Sequence, residues 1–193
     1  YDPDARLVFA AAMSEKQHEA FIGSFRGATR HMPLLLTTEN AAKLRKNILL
    51  GELAPASFSP QPPEGLGDSG VGGEFLTWLW YFSERMGGTF DLNGKEFGVA
   101  IEGPLTFVAE GAGAHVATLS KGMPEISAEA RTALLSGKKL KKARVTIARS
   151  DAVWSATLDA DDLSYRSAKL PKGEQLEPVS AFQERMLALR TLH

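Results

Sequence analysis

Three closely spaced carboxylates, Asp159, Asp161 and Asp162, come nearest in this chain to residues that could do chemistry. Oxygen ligands of this kind suit a hard divalent cation, and a pair of such ions supports phosphodiester hydrolysis. A calcium loop counted from Asp159 requires a glycine at its sixth position and a bidentate glutamate at its twelfth. Ser164 and Leu170 stand at those places. Acidic residues just past a strand more simply form a solvated turn. The metal-dependent nuclease-like enzyme is therefore kept as an alternative, with no metal ligand assigned.

Other catalytic signatures are weaker. Gly65-Leu66-Gly67-Asp68-Ser69-Gly70 matches the dinucleotide fingerprint literally. That fingerprint needs a strand running directly into its first glycine. Pro60, Pro62 and Pro63 precede it instead, and a proline cluster cannot form a central strand. His18, His31, His115 and His193 show no paired metal-ligand spacing. The chain has no cysteine, which removes thiolate nucleophiles, thiolate zinc sites and disulfides together. It also lacks the G-x-S-x-G elbow of a serine hydrolase. The expectation is a protein that is not an enzyme, with no catalytic residue and no cofactor.

Charge is more informative than motif. The net charge of the 193 residues is −1. Between Lys121 and Arg149, however, Lys121, Arg131, Lys138, Lys139, Lys141, Lys142, Arg144 and Arg149 are opposed only by Glu125 and Glu129. That segment carries +6 and everything else −7. Clustered lysines suit sequence-independent contact with phosphate oxygens. The predicted DNA-binding residues are Lys121, Arg131, Lys138, Lys139, Lys141, Lys142 and Arg144. A solvated surface explains such a run equally well. A second candidate surface is Phe75, Trp78, Trp80, Tyr81 and Phe82, which could stack bases. Aromatic residues at helical spacing more often form core, and core is the reading adopted.

The elements that must position these residues follow from periodicity. Arg6–Ala11 reads as a strand, and Ser14 with Gln17 as a capping box opening a helix to about Arg30. Leu34–Thr37 reads as a peripheral strand, and Thr38 caps a helix to about Leu50. Residues 51–73 are rich in proline and glycine and read as a linker. Glu74–Arg85 is the strongest helix, with Phe75, Trp78, Leu79 and Phe82 as its stripe. Asn93-Gly94 signals a hairpin. Strands are expected at Leu105–Ala109, His115–Leu119, Leu140–Ile147, Val153–Leu158 and Tyr165–Leu170, with a helix between Ser127 and Gly137. Pro178 opens a last helix whose stripe is Val179, Phe182, Met186 and Leu189. The fold class is α+β: antiparallel or mixed sheets with interspersed helices. Two subdomains are expected, 1–50 and 74–193, joined by the 51–73 linker or long loop.

Gly73-Glu74-Phe75-Leu76-Thr77-Trp78-Leu79-Trp80-Tyr81-Phe82-Ser83-Glu84 resembles the "EFLTWLW…SE" helix of the RdgC-like recombination-associated DNA-binding family. Glu129–Val145, with Gly137-Lys138 inside it, is similar to that family's helix, "GK" turn and strand. Trp154–Leu163 resembles its following "W..TLDA..L". The resemblance covers most of the chain, as a divergent member spanning the family's C-terminal two thirds. With Tyr1 in place of an initiator Met, it leads to the expectation that the chain is a fragment. It implies sequence-independent, non-catalytic binding of double-stranded DNA linked to recombination control, and restraint of RecA-driven exchange. It also implies a ring-like homodimer when full length, and a cytoplasmic, nucleoid-associated protein. No DNA-contact residue is carried over from it. The remaining alternative is a protein-interaction or regulatory module with an acidic partner.

Overall fold

The computed structural model describes residues 6–10, 14–46, 58–60, 71–109, 116–120, 127–150, 152–174 and 177–192. In chain order the elements are α1 (Glu15–Thr29), α2 (Thr38–Lys46), α3 (Val71–Arg85), β1 (Thr89–Leu92), β2 (Lys95–Val108), β3 (Val116–Leu119), α4 (Ala128–Leu135), β4 (Lys139–Arg149), β5 (Ala152–Asp159), β6 (Ser164–Lys169) and α5 (Pro178–Leu192). The six strands make one antiparallel sheet in the order β1-β2-β4-β5-β6, with β3 pairing the far part of β2. The class is α+β.

Residues up to Leu36 form one compact unit and those from Thr37 another. The first contains α1, which opens on the expected capping box. Ser14 Oγ accepts the Gln17 N–H, and Gln17 Oε1 accepts the Ser14 N–H at 3.0 Å. Neither strand expected in this unit forms among the described residues. Leu7 makes only an isolated bridge, and Leu34–Thr37 is irregular. Pro33 supplies no N–H, and Leu34 and Leu35 are exposed, so nothing holds that segment as a sheet edge.

In the second unit α2 belongs with the sheet. Thr38 Oγ1 donates to the Ala160 carbonyl beyond β5, and the Thr38 N–H reaches the Asp161 carbonyl. Most of the expected linker, 51–57 and 61–70, lies outside the described residues. Its end does not: Gly72 and Gly73 are already helical, so α3 starts at Val71. A Cβ at Gly72 would overlap the Ala160 carbonyl, and one at Gly73 would press on Lys139 Cβ at 3.1 Å. Close backbone approach, rather than a turn, is what these glycines serve.

The buried residues of α3 include Gly73, Leu76, Thr77 and Trp80, spaced i, i+3, i+4, i+7. The expected stripe was displaced: Trp78 is 51% exposed and Phe75 39%, whereas Trp80 is 7% exposed. A helix apolar nearly all round carries no internal mark of which face turns inward. Here the choice follows the partner. Trp80 tilts against Phe107, with centroids 5.8 Å apart, and Thr77 Oγ1 accepts the Leu140 N–H at 2.9 Å. Together with Leu105, Phe107, Leu140, Ala143, Val145 and Leu158 these side chains form the main core.

The expected strands Phe97–Ile101 and Leu105–Ala109 are parts of one long strand, β2, which crosses an irregularity between Glu102 and Thr106. Asn93 and Gly94 both have positive φ, as a type I′ hairpin requires. A smaller core at the other end of the sheet joins Phe97, Trp154 and Ala156 to Leu192 of α5, and Trp154 Nε1 donates to the Ala188 carbonyl at 3.0 Å. Helix α5 therefore docks through its last turns. Val179 and Phe182 of the expected stripe are 61% and 65% exposed, and Met186 and Leu189 are half-buried.

Candidate nucleic-acid interface

Side chains alternate across a strand, so burying Val99, Ile101, Ala143, Val145, Ala156 and Leu158 on one face sends their neighbours to the other. Strand register arranges that other face in rows. One row is Thr106, Lys142, Asp159 and Ser164, running from β2 to β6. The next is Glu102, Arg144, Thr157 and Arg166. A third is Ala100, Thr146, Ser155 and Lys169. Four cations and several hydroxyls thus share a polar sheet face with two acids. Neighbouring rows lie roughly 6.6–6.8 Å apart and neighbouring strands about 4.8 Å apart.

The seven predicted residues do not remain one patch. Lys121 lies outside the described residues. Arg131 is exposed on α4, away from the sheet rows. Lys138 ends α4, its N–H donating to the Ala133 carbonyl at 3.0 Å. Lys139 turns inward: its side chain is 7% exposed and its Nζ meets Glu74 Oε1 of α3 at 2.9 Å. That contact is ionic without hydrogen-bond alignment, and it removes Lys139 from any surface. Lys141 pairs with Asp161 at 2.5 Å and Lys142 with Asp159 at 2.7 Å. Arg144 Nε lies 3.8 Å from Glu102, and its Nη2 donates to Ser155 Oγ at 3.3 Å. Folding thus brings four acids from other parts of the chain to a segment that is strongly basic when read linearly. Arg149, counted in that segment, caps the Phe97 and Trp154 rings at 5.5 and 5.6 Å.

The structure adds two cations that charge counting missed. Arg166 and Lys169 are exposed on β6, and neither is ion-paired among the described residues. Scattered in sequence, they reach Lys142 and Arg144 only through strand pairing. The alternation of β6 was the one signal that could have placed them.

Family models, curated proteins and solved structures all give no match to this chain.

The aspartates are engaged locally. Asp159 has a side chain 9% exposed and holds Lys142, and Asp162 Oδ1 accepts the Ser164 N–H at 3.0 Å. No group of three or more His, Asp or Glu among the described residues could hold a metal ion. His18 and His31 lie apart on and after α1, and His115 and His193 are outside the described residues. No helix among the described residues is long and apolar enough to cross a membrane. Two glutamates show lowered pKa values, both at helix starts. Glu177 accepts the Ser180 and Val179 N–H groups at α5, and Glu129 accepts from its own N–H and from Ser127 at α4. They serve helix ends, with no perturbed group on the sheet rows.

The row Phe75, Trp78 and Phe82 forms a ladder along α3, with centroids 6.4 and 5.3 Å apart and interplanar angles of 28° and 17°. Rings stacked on one another leave chiefly their edges exposed. That geometry suits an apolar contact better than it suits base stacking.

Proposed function

We propose that this chain binds double-stranded DNA without sequence preference and without catalysing a reaction, using the open face of strands β4 to β6. The observation that carries the reading is the register that gathers Lys142, Arg144, Arg166 and Lys169 among Thr146, Ser155 and Thr157. Such groups donate to phosphate oxygens and touch no base edge, so they position a duplex without reading it. Surface ion pairs of the Arg144–Glu102 kind are worth about 0–1 kcal/mol, so a phosphate can replace the acid at small cost. Lys138 and Arg131 supplement the face if the duplex extends toward α4. The resemblance to RdgC-like proteins extends the proposal to recombination control, to a homodimer when full length, and to a nucleoid-associated place in the cytoplasm.

The test is fluorescence anisotropy of two unrelated labelled duplexes across a salt series. About four neutralised phosphates give a slope of log K on log salt of roughly −4. Affinities differing strongly between the duplexes, or a slope near zero, count against the proposal. The exposed ladder on α3 favours a second reading, a protein-interaction module. In that case Trp78→Ala abolishes partner binding and leaves any duplex affinity unchanged.

A further inference from the structure

We infer that Asp161 is an internal competitor for phosphate, a displaceable carboxylate that occupies Lys141 until a duplex replaces it. This inference rests on the duplex-binding reading above.

The two lysine–aspartate pairs at this end of the sheet differ in kind. Asp159 is nearly enclosed, its side chain 9% exposed, and Lys142 is its counterion at 2.7 Å. Withdrawing that lysine strands a buried charge, so the pair is structural. Asp161 is 49% exposed and Lys141 35%, and solvent reaches both groups. Separating them strands nothing.

The backbone nevertheless delivers Asp161 to its lysine. The Ala160 N–H donates to the Lys141 carbonyl at 2.9 Å, fixing the turn after β5 beside β4. The Asp161 carbonyl receives the Thr38 N–H, and its N–H reaches Asp159 Oδ1 at 3.4 Å. None of these contacts uses the Asp161 carboxylate, so the turn keeps its place when that charge is removed. Lys138 stands three residues before Lys141 in the same strand-entry segment, with no ion pair among the described residues. Freed from Asp161, Lys141 joins it as a second ammonium at the edge of the basic face. A carboxylate held in this way acts as a phosphate substitute: it lowers affinity for any polyanion that does not bring enough phosphate density to displace it.

The experiment compares wild type, Asp161→Asn and a control, Glu19→Gln, which removes the same charge from exposed α1. Each is titrated with one duplex over a salt series, and circular dichroism melting confirms that each is folded. Asp161→Asn is expected to bind about threefold to tenfold more tightly near 0.1 M salt, with a slope steeper by about 0.9, one added phosphate contact. Glu19→Gln is expected to match wild type. Binding by Asp161→Asn alone, with wild type silent, also supports the inference, because the competitor then dominates. Wild-type binding with no change in affinity or slope for Asp161→Asn overturns this inference and leaves the function standing. Absence of duplex binding in both proteins overturns both readings.

Discussion

Replacing Trp80 with alanine empties the centre of the α3–sheet contact. The indole is 7% exposed and packs on Phe107, itself fully buried. Large-to-small changes at such sites cost about 3–5 kcal/mol, the ring pair with Phe107 being part of that sum. One correction reduces the loss. The Trp80 Nε1–H is buried without a hydrogen-bond partner among the described residues. An orphaned donor of this kind costs about 1–3 kcal/mol, and deleting the ring relieves it. The net expectation is a loss of about 2–4 kcal/mol. Two positions earlier, Trp78 is 51% exposed and touches chiefly Phe75 and Phe82 of its own helix. Half the burial and an exposed ring pair put Trp78→Ala at about 1–2 kcal/mol. Urea denaturation followed by far-ultraviolet circular dichroism measures both without depending on the tryptophans removed. An inverted order, with Trp78→Ala the more damaging, means that another surface covers the α3 ladder and that the inward face of the helix is misassigned.

Two further outcomes follow from charges on the helices. Glu74→Gln leaves the Lys139 ammonium enclosed without its counterion and is expected to destabilise by about 3–5 kcal/mol, read from the same urea titration. A loss under about 1 kcal/mol would mean that Lys139 escapes to solvent and rejoins the basic surface. At α5, Glu177 is held below the ordinary glutamate value by the Ser180 and Val179 N–H groups. A depressed carboxyl stabilises the fold above the unfolded-state pKa, and that support is lost as pH falls through the lower folded value. Carboxyl titration by NMR should give Glu177 a midpoint below that of an unstructured glutamate, and a normal or raised midpoint refutes the cap.

Much of the fold was legible because local signals agreed with tertiary placement. The Ser14–Gln17 box, the Ser127 cap, the Asn93-Gly94 hairpin and the alternating strand β4 all carry their conformation in a few adjacent residues. Failures came where the deciding partner is remote. Gly72 and Gly73 read as linker because the Ala160 carbonyl and Lys139 that require them lie far along the chain. The inward face of α3 was hidden because every face is apolar, and only Phe107 and Leu140 choose Leu76 and Trp80. The basic segment shows the same limit for charge. Counting along the chain finds Lys139, Lys141, Lys142 and Arg144, but their acids, Glu74, Asp161, Asp159 and Glu102, come from three other stretches. Arg166 and Lys169 were passed over because two isolated cations make no run.

The open sheet face is tested most directly by Arg166→Glu combined with Lys169→Glu, titrated with two unrelated duplexes at several salt concentrations. Both side chains are exposed, so the double variant should stay folded, with surface changes of this kind usually within about 0.5 kcal/mol. The account predicts that wild type binds both duplexes alike, and that the double variant binds at least about tenfold more weakly with a salt slope shallower by about 2. Unchanged affinity and slope in the folded double variant contradict it and place any duplex contact on another surface of the chain.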